Sequence, residues 1–333
     1  MSSKLSLSLG FGPNPRSQPI LDGTVQPEGI ELACSEVGAG ELFHRQLTHQ
    51  EFDISEMSIS SLLLITAQGN SPWVAVPIFS TRTFYGTQAI VRRDAGIEQP
   101  SDLKGKRVGV NEYQQTAALW ARGFFQHEYG IAPTDVEWFM ERTEEYSHQG
   151  ATGFEPPPGV RMSHIPAESS MGQMMVEGSL DAIYHYFWGS AGGMNRSTID
   201  LFHHDGMRML FPDTEAESTR YYEKTGVFPF NHTVILRRSI YEAHPWVARN
   251  LLEAFEAAKQ RSYAAARALA QPYLATGLLP PAARSATATD LFPYGMAANR
   301  EVVELAARYS HEQGLTPREV AVEEVFAPTL LDS

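Results

Sequence analysis

The sequence predicts an α/β fold with mixed, mostly parallel sheets flanked by helices. Three observations carry that expectation. Short apolar, β-branched runs alternate along the chain with longer helical runs, the order that builds parallel sheets. The 333 residues give room for roughly two domains of ordinary size. A composition of 43% hydrophobic, 11% aromatic and 20% charged residues is that of a folded soluble chain, well outside the disordered range.

The elements follow in order. Leu5, Leu7 and Leu9 alternate with serines and run into Gly10-Phe11-Gly12-Pro13, a half-buried first strand ending in a loop. Gly29 to Cys34 reads as a second strand, Ala39 to Thr48 as a helix, and Phe52 to Met57 as a third strand. The apolar run Trp73 to Ile78 is a buried strand, and Ala89-Ile90-Val91 another. A short helical turn at Gln99 to Leu103 leads to a strand ending at Val110, after which a helix begins near Thr116 and runs to Gly130. A helix starting beyond the carboxyl end of a strand is a natural anion site, because its free N–H groups and its dipole both favour negative charge. Glu141 to Gly159, with no periodicity and the run Pro156-Pro157-Pro158, reads as a long mobile or lid-like loop. Met171 to Glu177 is a helix, Leu180 to Tyr184 and Phe228 to Leu236 are strands, and Pro245 to Gln271 and Met296 to Gln313 are helices.

Charge and composition narrow the function. The 26 Lys and Arg against 39 Asp and Glu leave a net charge of −13, and the basic pairs Arg92-Arg93 and Arg237-Arg238 stand alone. Nucleic-acid binding, which wants a basic face to displace counterions, is therefore not expected. One cysteine, Cys34, allows no internal disulfide framework and no Cys-based zinc cluster. No segment approaches the ~20 apolar residues of a membrane span. The N-terminal residues have neither the apolar run nor the cleavage site of a signal peptide, so the expected location is the cytoplasm.

Several segments together resemble a known family. Asp102 to Val110, followed by the helix entering at Thr116, resembles the type II periplasmic-binding-protein fold. More specific are Leu21-Asp22-Gly23 with Pro27 to Ile30, Phe52 to Ser58, Trp120 to Gly123, His232 to Ile235 and His244 to Ala248. Pro293 to Arg300, Glu312 to Leu315 and Glu324 to Pro328 complete a set that is similar, over nearly the whole chain, to the 4,5-dihydroxyphthalate decarboxylase family. The resemblance implies two α/β lobes joined by two hinge strands, residues 1–90 with 230–333 forming one lobe with a helical C-terminal extension, and 91–229 the other. It also implies non-oxidative decarboxylation of a hydroxylated aromatic acid in the cleft, no organic cofactor, and a homo-oligomer. The chain departs from the pattern at Tyr184-His185-Tyr186-Phe187-Trp188, where phthalate-type members tend to carry a short basic segment. An aromatic acid is therefore the expected ligand, with a cationic contact to a second carboxylate in doubt. A non-catalytic aromatic-acid binding protein, or another lyase or dehydratase on the same fold, stays open.

Removing CO2 from an aromatic ring leaves an aryl carbanion unless the ipso carbon is protonated first, so the reaction asks for a proton donor and a base on the phenol. His232, on the expected hinge strand, has the ionisation class for proton transfer, although a histidine beside Thr233 could simply bond the neighbouring lobe. His185 is the second candidate, with a stacked structural imidazole as its alternative. Glu112, after a strand and before a helix, could accept the phenol proton or merely complement a helix dipole. Glu56, Ser58, Ser60, Thr116 and Asn231 lie at strand ends or a helix start where they could reach a ring, or could cap backbone. Arg16, the match to a family arginine, and Arg82 are the candidate carboxylate clamps, since guanidinium pairs bidentately with carboxylate; surface ion pairs are the alternative. Phe84, Tyr113, Tyr184, Tyr186, Phe187 and Trp188 could wall the ring or belong to the core. His203-His204-Asp205 reads as a solvated turn rather than a metal site. No phosphate loop or Gly-x-Ser-x-Gly elbow occurs, so neither a nucleotide cofactor nor serine hydrolysis is expected.

Overall fold

The computed structural model describes residues 4–69, 71–189 and 195–333. The strands are β1 (Leu5–Phe11), β2 (Ile30–Glu36), β3 (Ile54–Ser58), β4 (Trp73–Val76), β5 (Ile90–Arg92), β6 (Arg107–Val110), β7 (Glu137–Met140), β8 (Arg161–His164), β9 (Ala182–Ile183), β10 (Met207–Met209) and β11 (His232–Arg237). The helices are α1 (Gln18–Leu21), α2 (Ala39–His49), α3 (Ile59–Ala67), α4 (Thr116–Tyr129), α5 (Gln149–Thr152), α6 (Met171–Val176), α7 (Thr214–Thr225), α8 (Arg238–Ala243), α9 (Trp246–Ala275), α10 (Ala282–Ala288), α11 (Arg300–Glu312) and α12 (Val322–Val325).

Two mixed sheets result. The first has the order β2-β1-β3-β11-β4, with β1 parallel to β2 and β3, and β11 antiparallel to both β3 and β4. The second has the order β10-β5-β9-β6-β7-β8, parallel from β9 to β8 and antiparallel at β10 and β5. Residues 77–89 and 210–231 run between them.

The leucines of β1 behave as their alternation demands: Leu7 and Leu9 are buried while Ser6 faces solvent, and Ser8 donates to Asp53 at 2.9 Å. A Cβ at Gly10 would lie 2.7 Å from both Leu42 and Phe52. Glycine there lets α2 settle against the sheet and points its N-terminus past the end of β1. Likewise a Cβ at Gly123 would lie 2.1 Å from the Tyr309 ring, so α4 and α11 pack closely only with glycine at that position. The N-terminal half of α9 buries Val247, Leu251 and Phe255 on the first sheet, whereas Leu269 and Tyr273 in its C-terminal half are exposed.

The structure corrects several expectations. The stretch 141–159 is no free loop: it contains α5, and Glu141, Arg142, Ser147, His148 and Thr152 are all buried. Local periodicity could not reveal this, because the segment is held by distant partners: Gln68 donates to the Thr152 carbonyl at 2.6 Å and Thr152 to Gln114 at 3.0 Å. The apolar run 59–67 is the buried helix α3, and β7, β8, β10 and α7 were not anticipated. The strand expected from Phe228 begins only at His232. Residues 1–3, the start of the segment read as lacking a signal peptide, lie outside the described residues. Among the described residues no helix is long and apolar enough to cross a membrane.

Candidate active site in the cleft between the sheets

A cavity of about 410 Å³ opens where strands of both sheets end. From the first sheet's side come Gly38 to Glu41, Phe43, Ser58, Asn231 and His232; from the second come Gln115, Arg142, His148 and Phe187. Ser58 ends β3, and Gly38, Gln115 and Arg142 follow the carboxyl ends of β2, β6 and β7, where an open α/β sheet presents its ligand crevice.

Three helices begin here. The first turn of α2 has Gly38 as N-cap, and α4 has Gln115, neither with a side-chain cap, so their leading N–H groups are left for a ligand. The start of α3 is satisfied internally: Ile59 N–H donates to the Asn231 carbonyl and Ser60 N–H to Thr116 Oγ1, both at 3.2 Å. Thr116 also meets Ser58 at 2.7 Å and Ser60 at 3.0 Å, tying β3 and α3 to α4. Of these hydroxyls Ser58 alone lines the cavity.

His232 is the best-formed acid–base group. Its Nδ1 lies 3.0 Å from Oε1 of Glu56 and 3.2 Å from Thr81 Oγ1, and its ring sits edge-on to Phe43. The pairing of β11 with β3, which sets His232 opposite Ser58 and Val234 opposite Glu56, brings the two together. Burial alone would raise the Glu56 carboxyl. The His232 ring, the Ser80 hydroxyl and the Gly12 N–H more than offset it and hold the group below the usual carboxylate range. Nε2 of His232 meets the Asn231 amide nitrogen at 2.8 Å, while Asn231 Oδ1 is buried without a partner. A half-turn of that amide presents its oxygen to a protonated Nε2, so Asn231 can serve either charge state of the ring.

The second cluster is built on Glu112. Its carboxylate accepts from Arg142 Nη1, Ser147 Oγ and the His148 N–H, each at 2.7 Å. Burial would raise Glu112, but the charges of His148 and Arg142 with these donated bonds hold it low. Near neutral pH Arg142 supplies the charge, because burial pushes His148 down to about 4 and leaves it uncharged. Arg142 keeps its Nε buried without a partner and lines the cavity beside His148.

Sequence reasoning thus placed Ser58, Phe187, Asn231 and His232 in the cleft, and Glu56 directly behind them. Other candidates lie elsewhere. Glu112 does not reach the cavity and is fully engaged in positioning Arg142 and the 147–148 turn. Arg16 donates to the Ser80 carbonyl at 2.7 Å and lies 3.7 Å over the Phe292 ring. Arg82 binds the Phe228 carbonyl and the Asn299 side chain, and with Phe84 it lines a different cavity. Tyr113 and Tyr184 are core residues, stacked on Phe154 and Phe125. His185 bonds Gln88 at 2.9 Å and packs edge-on to Tyr85 and Phe187, and burial takes it down to about 4. It stands behind Phe187 rather than in the cavity wall. Arg142, His148 and the start of α2 were missed. Their one signal was position, an arginine and a histidine shortly after a parallel strand, and that strand, β7, was itself not anticipated. His203 is exposed and pairs with Asp200 at 2.7 Å. Among the described residues no three His, Cys, Asp or Glu side chains gather as a metal site would require.

Comparison with known proteins shows what the chain as a whole is similar to. Residues 41–152 fit the family described as periplasmic substrate-binding protein of a phosphonate ABC transporter. The fold is shared with the aliphatic sulphonate binding protein SsuA of Escherichia coli, at a TM-score of 0.54 and 15% identity over 99% of this chain and 100% of that one. It is shared equally with the desulfurization enzyme DszB, at 0.53 and 16% over 98% and 97%. The chain therefore has a periplasmic-binding-protein-like fold. A 4,5-dihydroxyphthalate decarboxylase of Pseudomonas putida is 38% identical over 54% of this chain and 70% of its own length. Another, of Comamonas testosteroni, is 34% identical over 99% of both chains. With a relative of that identity matched end to end, the chain belongs to the 4,5-dihydroxyphthalate decarboxylase family.

Proposed function

We propose that this carboxy-lyase removes CO2 from a hydroxylated aromatic acid without a cofactor, by protonating the ipso carbon in the cleft. The observation that carries the proposal is the buried Glu56–His232 pair at the cavity edge, set opposite an anion-receiving surface made by Arg142 and the starts of α2 and α4. In this reading residues 1–90 with 230–333 and residues 91–229 are two lobes that close on the substrate, and membership of the two sheets supports that division. The enzyme is further taken to be cytoplasmic and a homo-oligomer, matters for fractionation and sedimentation.

The substrate carboxylate lies against Arg142 and the leading N–H groups of α2 and α4, with the ring reaching Nε2 of His232 in place of the Asn231 amide. The Nε2–H bond breaks as the proton forms a C–H bond at the ipso carbon, and its electron pair returns to the imidazole. A ring hydroxyl ortho or para to that carbon gives its lone pair to the ring and absorbs the positive charge. The C–CO2 bond then breaks, its electrons restore aromaticity, CO2 leaves, and water returns a proton to Nε2. Glu56 keeps Nδ1–H directed and offsets the imidazolium charge through the step. A positioned general acid contributes ~10² to 10⁴-fold, about 3 to 5 kcal/mol at 1.36 kcal/mol per tenfold. Oriented dipoles and removal of the carboxylate from water supply more.

The test is turnover. EDTA-treated protein is incubated with 4,5-dihydroxyphthalate and a panel of mono- and dihydroxybenzoates while CO2 and the ultraviolet spectrum are followed. Release of CO2 from at least one acid is the expected result. Tight binding of these acids with no CO2 from any of them would overturn the proposal.

A further inference from the structure

A second cavity is larger than the cleft. It holds about 740 Å³ and shares no lining residue with the smaller one. Its walls come from the segments that join the sheets, from α7, and from residues 289–302 leading into α11.

Arg82 is the cation that lines it. This guanidinium donates to the Phe228 carbonyl at 2.7 Å and to the Asn299 side chain, both neutral, and its Nε is buried without a partner. Among the described residues no carboxylate forms an ion pair with it. Asp290, in the same wall, is already bound to Lys259 at 2.7 Å and Tyr263 at 2.9 Å, and Glu215 stands exposed. A half-buried cation with only neutral partners retains charge that an entering anion can neutralise, and a carboxylate fits a guanidinium fork. Beside it Phe84 and Phe228 stack at 4.9 Å with 26° between their planes, and Tyr222 meets Phe84 edge-on at 6.5 Å. Met209 and Val302 extend the apolar wall. The volume falls in the range of small-molecule sites.

We propose that this cavity is a second ligand site, which takes an aromatic monocarboxylate: Arg82 receives the carboxylate, and the ring lies against Phe84, Phe228 and Tyr222. The site is wired to the cleft. Gln88, in its wall, donates to Thr83 Oγ1 at 3.0 Å and accepts from His185 Nδ1 at 2.9 Å. The His185 ring packs on Phe187 at 4.4 Å, and Phe187 lines the cleft. Arg82 itself bridges Phe230, the residue before Asn231 and His232. A bound acid therefore biases both joining segments and shifts the rate of the proposed decarboxylation; only this coupling rests on that reaction.

The experiment is calorimetric titration of the purified full chain with 2-naphthoate. Thr219→Trp, a substitution on an exposed position of α7 in the cavity wall, fills the site without touching the core, and Arg82→Met removes the cation. Wild type and the cleft variant Arg142→Lys should bind naphthoate alike, and Thr219→Trp and Arg82→Met at least tenfold more weakly. Absence of binding, or binding indifferent to Thr219→Trp, overturns the site. So does a fall in sedimenting mass in Thr219→Trp, which would mean that a second copy fills the cavity. Naphthoate should also change kcat at saturating substrate in wild type and not in Gln88→Leu; an unchanged kcat overturns the coupling. Because the titration needs no turnover, it reads the second site even where the protein proves not to be a decarboxylase.

Discussion

Two buried carboxylates stand behind the cleft, each with a histidine, yet they make different devices. Glu56 faces His232 with only a hydroxyl and a backbone N–H as further donors, so its charge is directed at the imidazole. Glu112 is shared among Arg142, Ser147 and His148, and the arginine takes the charge while the histidine stays neutral. In the proposed reaction, one added guanidinium separates an anion receptor from a proton-handling pair. The lesson is that a Glu–His contact alone does not define a catalytic pair; what else the carboxylate binds decides its use.

The sharpest way to break this contrast is to remove each partner in turn. His232→Gln keeps a hydrogen-bonding side chain for Glu56 but cannot donate a proton from a charged ring. It should lower kcat/KM by ~10² to 10⁴-fold with thermal stability nearly unchanged. His148→Gln, on the other side, should cost far less activity. If the two losses prove equal, the division of labour between the clusters is wrong.

Next in size is Arg142. Arg142→Ala leaves Glu112 buried with its ion partner gone, which typically costs about 3 to 5 kcal/mol of stability, and it should raise KM as well. Pairing Arg142→Met with Glu112→Gln removes both charges, so stability should return while KM remains high. Recovery of both in the double variant, measured by denaturant midpoint and steady-state kinetics, would show that Arg142 supports the fold and does not hold the acid.

Acid should expose the same asymmetry in stability. His148 is held at about 4 in the folded protein against 6.5 unfolded, so the unfolded chain takes up the proton first as pH falls. The neutral ring's contribution is complete above pH 6.5 and is lost as pH drops through about 4, roughly 3 kcal/mol at 1.36 kcal/mol per unit. His185, also near 4, adds to the same window. Glu112 and Glu56, both depressed, act in the same direction only further into the acid. Denaturation midpoints between pH 7.5 and 4.5 should therefore fall in wild type and fall less in His148→Gln. An unchanged slope would mean that His148 is protonated in the folded state.

How much of this was legible beforehand depends on the range of the interaction that makes each feature. The α/β alternation and the positions of β1, β3 and β11 followed from local pattern, and with them came Glu56, Ser58 and His232, which sit on those strands or at their ends. Arg142 and His148 were lost in a segment without periodicity, because what orders it is a carboxylate 30 and 36 residues upstream. Arg16 and Arg82 were plausible clamps as residue types, but which side of a joining segment an arginine faces is fixed by packing against Phe292 and Asn299, more than 200 residues away. Chain-wide motif resemblance reached the family without reaching these contacts.

The smallest expected effect tests where the cleft ends. Tyr113 follows Glu112 directly, and a ligand ring stacked on it would put the anion receptor and an aromatic wall on adjacent residues. The structure instead stacks the ring on Phe154 at 5.7 Å, with the Arg122 guanidinium 3.7 Å from its centre. Its hydroxyl makes one long bond, 3.5 Å to the Gln313 carbonyl. Tyr113→Phe keeps the ring, the stack and the cation contact, and gives up only that bond, so the cost to stability should be about 0.5 kcal/mol, the weak end for a hydrogen bond. Neither kcat nor KM should move. A tenfold loss of kcat/KM would instead bring the Tyr113 hydroxyl into the substrate's reach and extend the cleft past Glu112 into the second sheet.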